Sequence, residues 1–307
     1  MATIFFVSPA AMQPIYDISI VIVTYNNRDI LPRCLDSLSR SLSPYLSQLC
    51  IIDNNSTDGT AFYLRDSATW NTFSFKTVER VYNRENLGYT KGVNQGLRRC
   101  LGQIILLLNP DIFFRDNPFE VLITELEQEE NVGVVSPQFR FLDDSVQPSC
   151  RRFPKKKDVL FEFLGLSRLF PRWVFFNTWR MPDFDHKVSA DVAQPQGAFL
   201  LMRQDVLSTT GLLDESFPMF FSDVDWCFRV HQNGWRIRFM ADVFVYHLKG
   251  ASVKQRRAQM IISSHQSFIT YFRKYDKTRF DRCITHFVHI LLLVATPLRL
   301  IMNLNRL

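Results

Sequence analysis

Glycine is scarce in this chain, with 11 residues in 307, and the arrangements in which glycine marks a phosphate-binding loop are missing. No G-x-G-x-x-G follows the first apolar run and no G-x-x-x-x-G-K-[ST] occurs, which argues against a dinucleotide-binding dehydrogenase and a P-loop nucleotidase. The six cysteines (Cys34, Cys50, Cys100, Cys150, Cys227 and Cys283) include no C-x-x-C pair. Neither a zinc cluster nor a disulfide framework is therefore expected, and a reducing cytosol is the expected compartment. Low-complexity tracts and internal repeats are lacking as well. Charge is only mildly one-sided, at a formal net +6, so a general nucleic-acid binder is not expected. An anionic membrane surface or a phosphorylated substrate would suit that balance. The opening MATIFFVSPAAMQP carries none of the basic residues with which a secretory signal begins. Long apolar runs are confined to residues 284–302, ITHFVHILLLVATPLRLIM, where His286, His289, Pro297 and Arg299 interrupt the run. Such a segment fits a helix lying in a membrane interface better than one crossing it.

What is present is a regular alternation. Residues 18–23 (ISIVIV) form a continuous β-branched run, the mark of a strand buried on both faces. A helix is expected over 29–42, with Leu31, Leu35, Leu38 and Leu42 on one stripe and Pro32 in its first turn. Strands at 49–52, 78–82, 104–108 and 132–135 alternate with helices from about 60, at 93–100 and at 119–130. Residues 146–192 lose this pattern in a basic, aromatic stretch. A strand within 197–203, a helix from Ser222 to Gly234, and a hairpin-like pair at 236–240 and 243–246 follow. This predicts an α/β fold, a Rossmann-like, mainly parallel sheet with helices on both faces, followed by a C-terminal helical apolar tail.

In such sheets ligands sit beyond the carboxyl ends of the strands. Thr24-Tyr25-Asn26, Asp53-Asn54-Asn55 and Asn109-Pro110-Asp111 each directly follow an expected strand, so they should share one edge. Asp53 could accept from the N3–H of a pyrimidine base. Asp111 could hold a hard divalent cation bridging a diphosphate, since Mg²⁺ needs only one or two protein carboxylates beside phosphate oxygens. Gly88 and Gly92 would let backbone come close to a sugar. Each feature also has a plain explanation. DNNSTDGT is a good Asx turn, with Asp58 or Thr60 capping the next helix. Asp223 and Asp225 suit the first turn of any helix, and a histidine after a strand is commonly structural.

The ordered set IVIVTYNN, IIDNNSTDGT, ENLGYTKGVNQG, LLLNPDI, GAFLLMR, FFSDVDWCFR and VYHLKGAS resembles the family 2 glycosyltransferases of GT-A fold. It is closest in character to the rhamnosyltransferase-like members that build bacterial surface polysaccharides such as O-antigen or capsule. The resemblance runs over residues 18–252. It implies an inverting, metal-dependent hexosyltransferase taking sugar from a nucleotide-diphosphate donor, with dTDP-rhamnose favoured and UDP-hexoses as alternatives. The acceptor would be a saccharide, lipid-linked through a polyprenyl diphosphate. Carried onto this chain, Thr24, Tyr25, Asn26 and Asp53 would contact base and ribose, and Asn86, Gly88, Asn94 and Asn109 would line the donor pocket. Asp111 and His247 would hold Mg²⁺ or Mn²⁺, Asp223 would be the general base, and Ser222, Asp225, Arg151 and Arg152 would lie on the acceptor side. Two departures stand out. Asn109 replaces the first aspartate of the usual D-x-D, and Ser222 replaces the glutamate before the base. A non-catalytic nucleotide-sugar-binding module is therefore a rival expectation. The implied organisation is an extension at 1–14, a catalytic domain at 15–252 divided near 136, and a helical, membrane-associated segment at 253–307. The basic run RRFPKKK and the apolar tail together point to the inner face of the cell membrane, where clustered cations gain about 1 kcal/mol each.

Overall fold

The structure, a computed structural model, describes residues 15–248 and 257–304. The expected extension at 1–14 and the end of the VYHLKGAS segment lie outside them. The first half comprises β1 (Tyr16–Thr24), α1 (Leu31–Ser41), β2 (Ser47–Asp53), α2 (Thr60–Arg65), α3 (Ser67–Trp70), β3 (Thr77–Tyr82), α4 (Tyr89–Leu97), β4 (Gly102–Leu108), β5 (Ile112–Phe113), α5 (Phe119–Gln128) and β6 (Val132–Arg140). Then follow β7 (Val146–Gln147), β8 (Cys150–Arg151), α6 (Lys156–Phe163), α7 (Leu166–Leu169), β9 (Ala190–Asp191), β10 (Gln194–Pro195), β11 (Phe199–Arg203), α8 (Gln204–Thr210), α9 (Ser222–Gln232), β12 (Arg236–His247), α10 (Arg257–Tyr275) and α11 (Arg279–Leu304).

The main sheet runs β3-β2-β1-β4-β11-β6-β12-β5. Its β3, β2, β1 and β4 are parallel, β11 is antiparallel to both neighbours, and β12 is again parallel to β6. Alternate residues of β1 serve opposite layers, as the two-residue period of a strand requires. Ile18, Ile20 and Ile22 pack with Leu31, Leu35 and Leu38 of α1. Val21 and Val23 pack with Val93 and Leu97 of α4 and with Trp226 and Val230 of α9. Both faces of the sheet are thus covered, and the apolar run of β4 lies at its centre.

Three sequence expectations change. The helix expected over 93–100 begins at Tyr89, one residue after Gly88, whose φ of 86° is costly for other residues. Gly92 serves helix packing rather than sugar approach: a Cβ there would lie 2.8 Å from Val23 Cγ1. The expected hairpin at 236–246 is one strand, β12. Its register against β6 jumps between Met240 and Phe244, so residues 241–243 bulge without reversing the chain. No turn glycine or Asn-Gly is present there to close a hairpin.

The tail packs onto the domain. Val288, Leu292 and Ala295 form the buried stripe of α11, and Val288 and Leu292 share a core with Phe217, Phe221 and Val224 beside α9. Among the described residues no helix is long and apolar enough to cross a membrane.

Candidate active site

Strand register builds the edge. Thr24 pairs with Asp53 across β1 and β2, Asp53 pairs with Tyr82 across β2 and β3, and Ile22 pairs with Leu108 of β4. The loops after β1, β2 and β4 therefore emerge side by side. Much of the polar sequence there builds the loops themselves. The Thr24 hydroxyl is fully buried and donates to Asn27 Oδ1 (3.1 Å). Asn26 takes a left-handed φ of 53°, and its Oδ1 accepts the Thr57 N–H (2.7 Å). Asn54 ties down the loop before α4: its Nδ2 donates to Asn86 Oδ1 (3.0 Å) and Gly88 O (3.1 Å), and its Oδ1 accepts from Asn83 Nδ2 and the Leu87 N–H.

Against this web three acceptors stand out. Asp53 Oδ1, Asn109 Oδ1 and Asp111 Oδ1 are buried without a hydrogen bond. Leaving a buried acceptor unmade typically costs ~1–3 kcal/mol, so each such atom marks a place where a ligand group could bind. The Tyr82 hydroxyl, beside Asp53, is buried and unpartnered in the same way.

Pairing of β12 with β5 sets His247 beside Ile112, and the Leu248 N–H donates to Asp111 O (2.9 Å). His247 Nε2 consequently lies 3.5 Å from Asp111 Oδ2. Its other ring nitrogen, Nδ1, faces Gln147 Oε1 at 2.5 Å. A carbonyl oxygen only accepts, so Nδ1 carries a proton, and this leaves Nε2 as the nitrogen that can turn a lone pair toward the carboxylate edge. Two lone-pair donors meeting at a sheet edge suit a cation, and the glutamine is the outer partner that fixes the tautomer. These residues fit a divalent ion. Gln147 carried no signal in the sequence, because it lies in the stretch where the pattern is lost.

The first turn of α9 presents Asp223. Its Oδ2 accepts the Gly197 N–H (3.0 Å) and its Oδ1 the Val224 N–H (2.9 Å). A Cβ on Gly197 would sit 2.9 Å from Asp223 Cβ, so that glycine admits the carboxylate to the sheet edge. Burial raises the Asp223 pKa above the ordinary carboxylate range, against the opposing pull of these N–H groups and of Arg151. Tyr89, at the start of α4, donates to Gly197 O (3.3 Å). Burial, followed by the charges of Asp223 and Asp111, pushes its hydroxyl pKa up. Sequence reasoning passed over Tyr89, although it stands inside NLGYTKG.

Other expected site residues go elsewhere. Asp225 lies on the far side of α9, as two helical steps of 100° require. It is fully buried and bound to Arg229 Nε (2.9 Å), Lys274 Nζ (2.6 Å) and the Tyr275 hydroxyl (2.7 Å), which removes it from the acceptor side. Asn94 is buried and spent on the Leu213 backbone and Glu215, holding the segment before α9 rather than lining a pocket. Arg152 forms a two-pronged pair with Asp183 at 2.7 and 2.6 Å. Arg151 instead lies over the Trp179 ring (4.7 Å) and toward Asp223. Ser222 is buried at the head of α9, after Phe221 with a left-handed φ of 69°. In the basic run, Lys156 is turned inward, 2.6 Å from Asp276.

A mainly parallel sheet of this order, with acidic residues gathered at the carboxyl ends of its strands, has the GT-A architecture of nucleotide-sugar-dependent glycosyltransferases. The chain belongs to the Glycosyl transferase family 2, whose model matches residues 19–191, and it is a glycosyltransferase of glycan or polysaccharide biosynthesis. It is 24% identical over 263 residues to the low-salt glycan biosynthesis hexosyltransferase Agl10 of Haloferax volcanii, covering 84% of this chain and 74% of that protein. It is 25% identical over 252 residues to the O-antigen biosynthesis protein RfbC of Myxococcus xanthus, covering 80% of this chain. An undecaprenyl-phosphate 4-deoxy-4-formamido-L-arabinose transferase of Pseudomonas fluorescens is 28% identical over 47% of the chain. The matches span only 18% and 40% of the latter two proteins. In fold, the chain resembles the mannosyltransferase PcManGT from Pyrobaculum calidifontis in complex with GDP-Man and Mn²⁺. The TM-score is 0.56, with 18% identity over 94% of this chain and 72% of the other.

Proposed function

We propose that the chain transfers a sugar, with inversion, from a nucleotide-diphosphate donor to a saccharide hydroxyl. The observation that carries this reading is one sheet edge that holds the Asp111–His247 pair and Asp223, whose anchor Gly197 adjoins Ala198, the residue whose carbonyl accepts the Asn109 N–H (2.9 Å). Asp53 and Tyr82 offer the buried acceptor and hydroxyl that a base ring needs at the far end of the same edge. Asp111 and His247 would hold Mg²⁺ or Mn²⁺, and such an ion supplies countercharge for the diphosphate as it leaves. The neutral Asn109 reduces the protein charge at that point, so a bound ion would draw the rest of its countercharge from the donor phosphates.

Asp223 then acts as the base. The acceptor oxygen forms its bond to the anomeric carbon from the face opposite the diphosphate, the carbon–oxygen bond to phosphate breaks, and the hydroxyl proton passes to Asp223. The Gly197 and Val224 N–H groups hold the carboxylate in place for that transfer. A raised pKa makes it a stronger base than an exposed aspartate. dTDP-rhamnose is the first donor to test, beside UDP- and GDP-hexoses. With a donor that turns over, Asp223→Asn should lower kcat by ~10²–10⁴ while leaving donor affinity unchanged. Full activity in that variant would remove Asp223 from the chemistry, and donor binding without turnover across acceptors would favour the binding-module reading.

We further propose peripheral attachment to the inner membrane face, with a lipid-linked acceptor. Phe287, Ile290, Leu293 and Val294 form an exposed apolar stripe on α11, and Leu169, Trp173 and Phe175 are exposed in the aromatic stretch before β9. Because α11 also fills core, deletion from residue 284 would damage the fold. Substituting Phe287 and Leu293 by Ser is the cleaner probe. Sedimentation with phosphatidylglycerol vesicles should fall several-fold in the double variant, and unchanged sedimentation would refute the attachment.

A further inference from the structure

Behind the catalytic cleft, α6, α7 and the segment around Trp179 meet α10 and α11 around a second cavity of about 700 Å³ including its mouth. None of the residues assigned to donor, metal or base lines it. Its walls mix apolar side chains, among them Phe176, Phe268, Leu292 and Ala295, with polar and charged ones, and two of the side chains in it carry unused hydrogen-bonding atoms. Asp158 is 6% exposed; its Oδ2 accepts the Lys155 N–H (2.7 Å), while Oδ1 has no hydrogen bond. The Trp179 Nε1–H is likewise buried without a partner. The backbone N–H of Trp179 faces the Asp158 carboxyl, and both residues line the same cavity.

An unfilled acceptor beside an unfilled donor, set among aromatic rings, has the chemistry of a site for a neutral sugar. Hydroxyls can donate to the carboxylate and accept from the indole, while ring C–H faces pack on aromatic surface. A phosphate suits it poorly, because Asp158 and Glu162 both line it and Arg180, also in its wall, is already paired with Glu162 at 2.7 Å. Its position relates it to catalysis. Trp179 is part of the wall, packs against Phe221 just ahead of Asp223 (6.1 Å), and lies beneath the Arg151 guanidinium on its way to Asp223.

We propose that this cavity is a saccharide subsite, holding a neutral sugar residue of the acceptor glycan remote from the hydroxyl that is glycosylated. The inference rests on the reading of the chain as a saccharide-acceptor transferase, but its test does not depend on turnover. Saturation-transfer NMR on the full chain would use methyl glycosides and disaccharides of rhamnose, mannose, glucose and galactose. At least one should bind, and binding should weaken at least tenfold in Ala295→Phe, which fills the cavity, and in Trp179→Phe, which keeps the ring but removes the N–H. Asp223→Asn should leave that binding unchanged. If no glycoside binds, the cavity holds only water and the subsite is refuted. It is equally refuted if binding survives both cavity variants or depends on Asp223 instead. Ala295-dependent binding without transfer from any donor would overturn the catalytic reading and leave the subsite standing. Normal transfer without glycoside binding would do the reverse.

Discussion

Asp111 and Asp225 are both buried carboxylates, 8% and 0% exposed, and their surroundings are opposite. Asp225 sits between α9 and the C-terminal helices with Arg229, Lys274 and Tyr275 around it. Lys274 also reaches Asp214 at 2.6 Å, so the same cluster clamps the segment that leads into α9. Asp111, at the sheet edge, has one oxygen without a partner and the other 3.5 Å from His247 Nε2, too far for a strong hydrogen bond. A buried charge is tolerated when it is paired and costly when it is not. The first carboxylate is therefore complete within the chain, and the second is incomplete until something cationic arrives. Binding edge and structural core are distinguished here by which acidic groups are satisfied, not by how acidic they are.

The sharpest way to break this comparison is to remove each carboxylate in turn. Asp225→Ala leaves two cations facing each other and should cost roughly 3 kcal/mol, the lower end for breaking a buried pair because Lys274 is partly exposed. Thermal unfolding should then begin about 5 °C or more below the parent. Asp111→Ala, unfolded in the presence of a chelator, should lose no stability. Its deficit should appear elsewhere, as the loss of Mn²⁺-dependent stabilisation by donor. Equal destabilisation by the two substitutions would show that Asp111 is structural after all.

How much of this was legible in the sequence follows the same division. Strands β1, β2 and β4 could be read because parallel strands buried on both faces leave unbroken apolar runs, and the loops after them inherit their edge position from topology alone. Asp53 and Asp111 reach that edge for this reason, whereas His247 gets there at the end of β12, whose single-strand form no local pattern announced. Within a loop, spacing says nothing about where a side chain is spent. Thr24 is spent on the Asn27 side chain, Asn26 and Asn94 hold backbone, and Asp225 could be separated from Asp223 only by taking helical geometry at its word. Gln147, Trp179 and Asp158 lie in a stretch without periodicity, where short elements are fixed by aromatic packing across long separations. Phe161, Phe170 and Phe176 pack there in a cluster that no local pattern announces. The tail illustrates the other difficulty. Its apolar run reads equally as a membrane surface or as core, and α11 presents both: Val288 and Leu292 inward, Phe287 and Leu293 outward.

A second test concerns Asp223, which stands between the two extremes: half-buried, held by N–H groups, but without an ion pair. Burial raises its folded pKa above the unfolded value. The unfolded chain therefore releases this proton first as pH rises. Stability contributed at low pH is lost progressively from the ordinary carboxylate range up to the raised folded pKa. Asp223→Asn should accordingly be more stable than the parent at neutral pH, with the gap closing as pH falls through that window. Transfer by the parent should decline as pH falls through the upper end of the same window, where the folded enzyme's base becomes protonated. A constant stability difference across pH would mean that the carboxylate is better solvated than its surroundings indicate.

The smallest expected effect belongs to Arg152, and it sharpens the comparison from the satisfied side. Its guanidinium forms a two-pronged pair with Asp183, both about a third exposed, and stands next in sequence to Arg151, which turns instead toward Trp179 and Asp223. Exposed pairs contribute at most about 1 kcal/mol, and this one is completed without any substrate. Arg152→Ala should therefore lower unfolding temperature by no more than a few degrees and leave KM for the acceptor unchanged. Arg151→Ala should raise acceptor KM and shift the acid limb of the pH–rate profile upward, because its charge opposes the effect of burial on Asp223. Were Arg152→Ala to raise acceptor KM as much as Arg151→Ala, a completed ion pair would have to open in the working enzyme. The rule that satisfied groups are structural would then fail at the acceptor side.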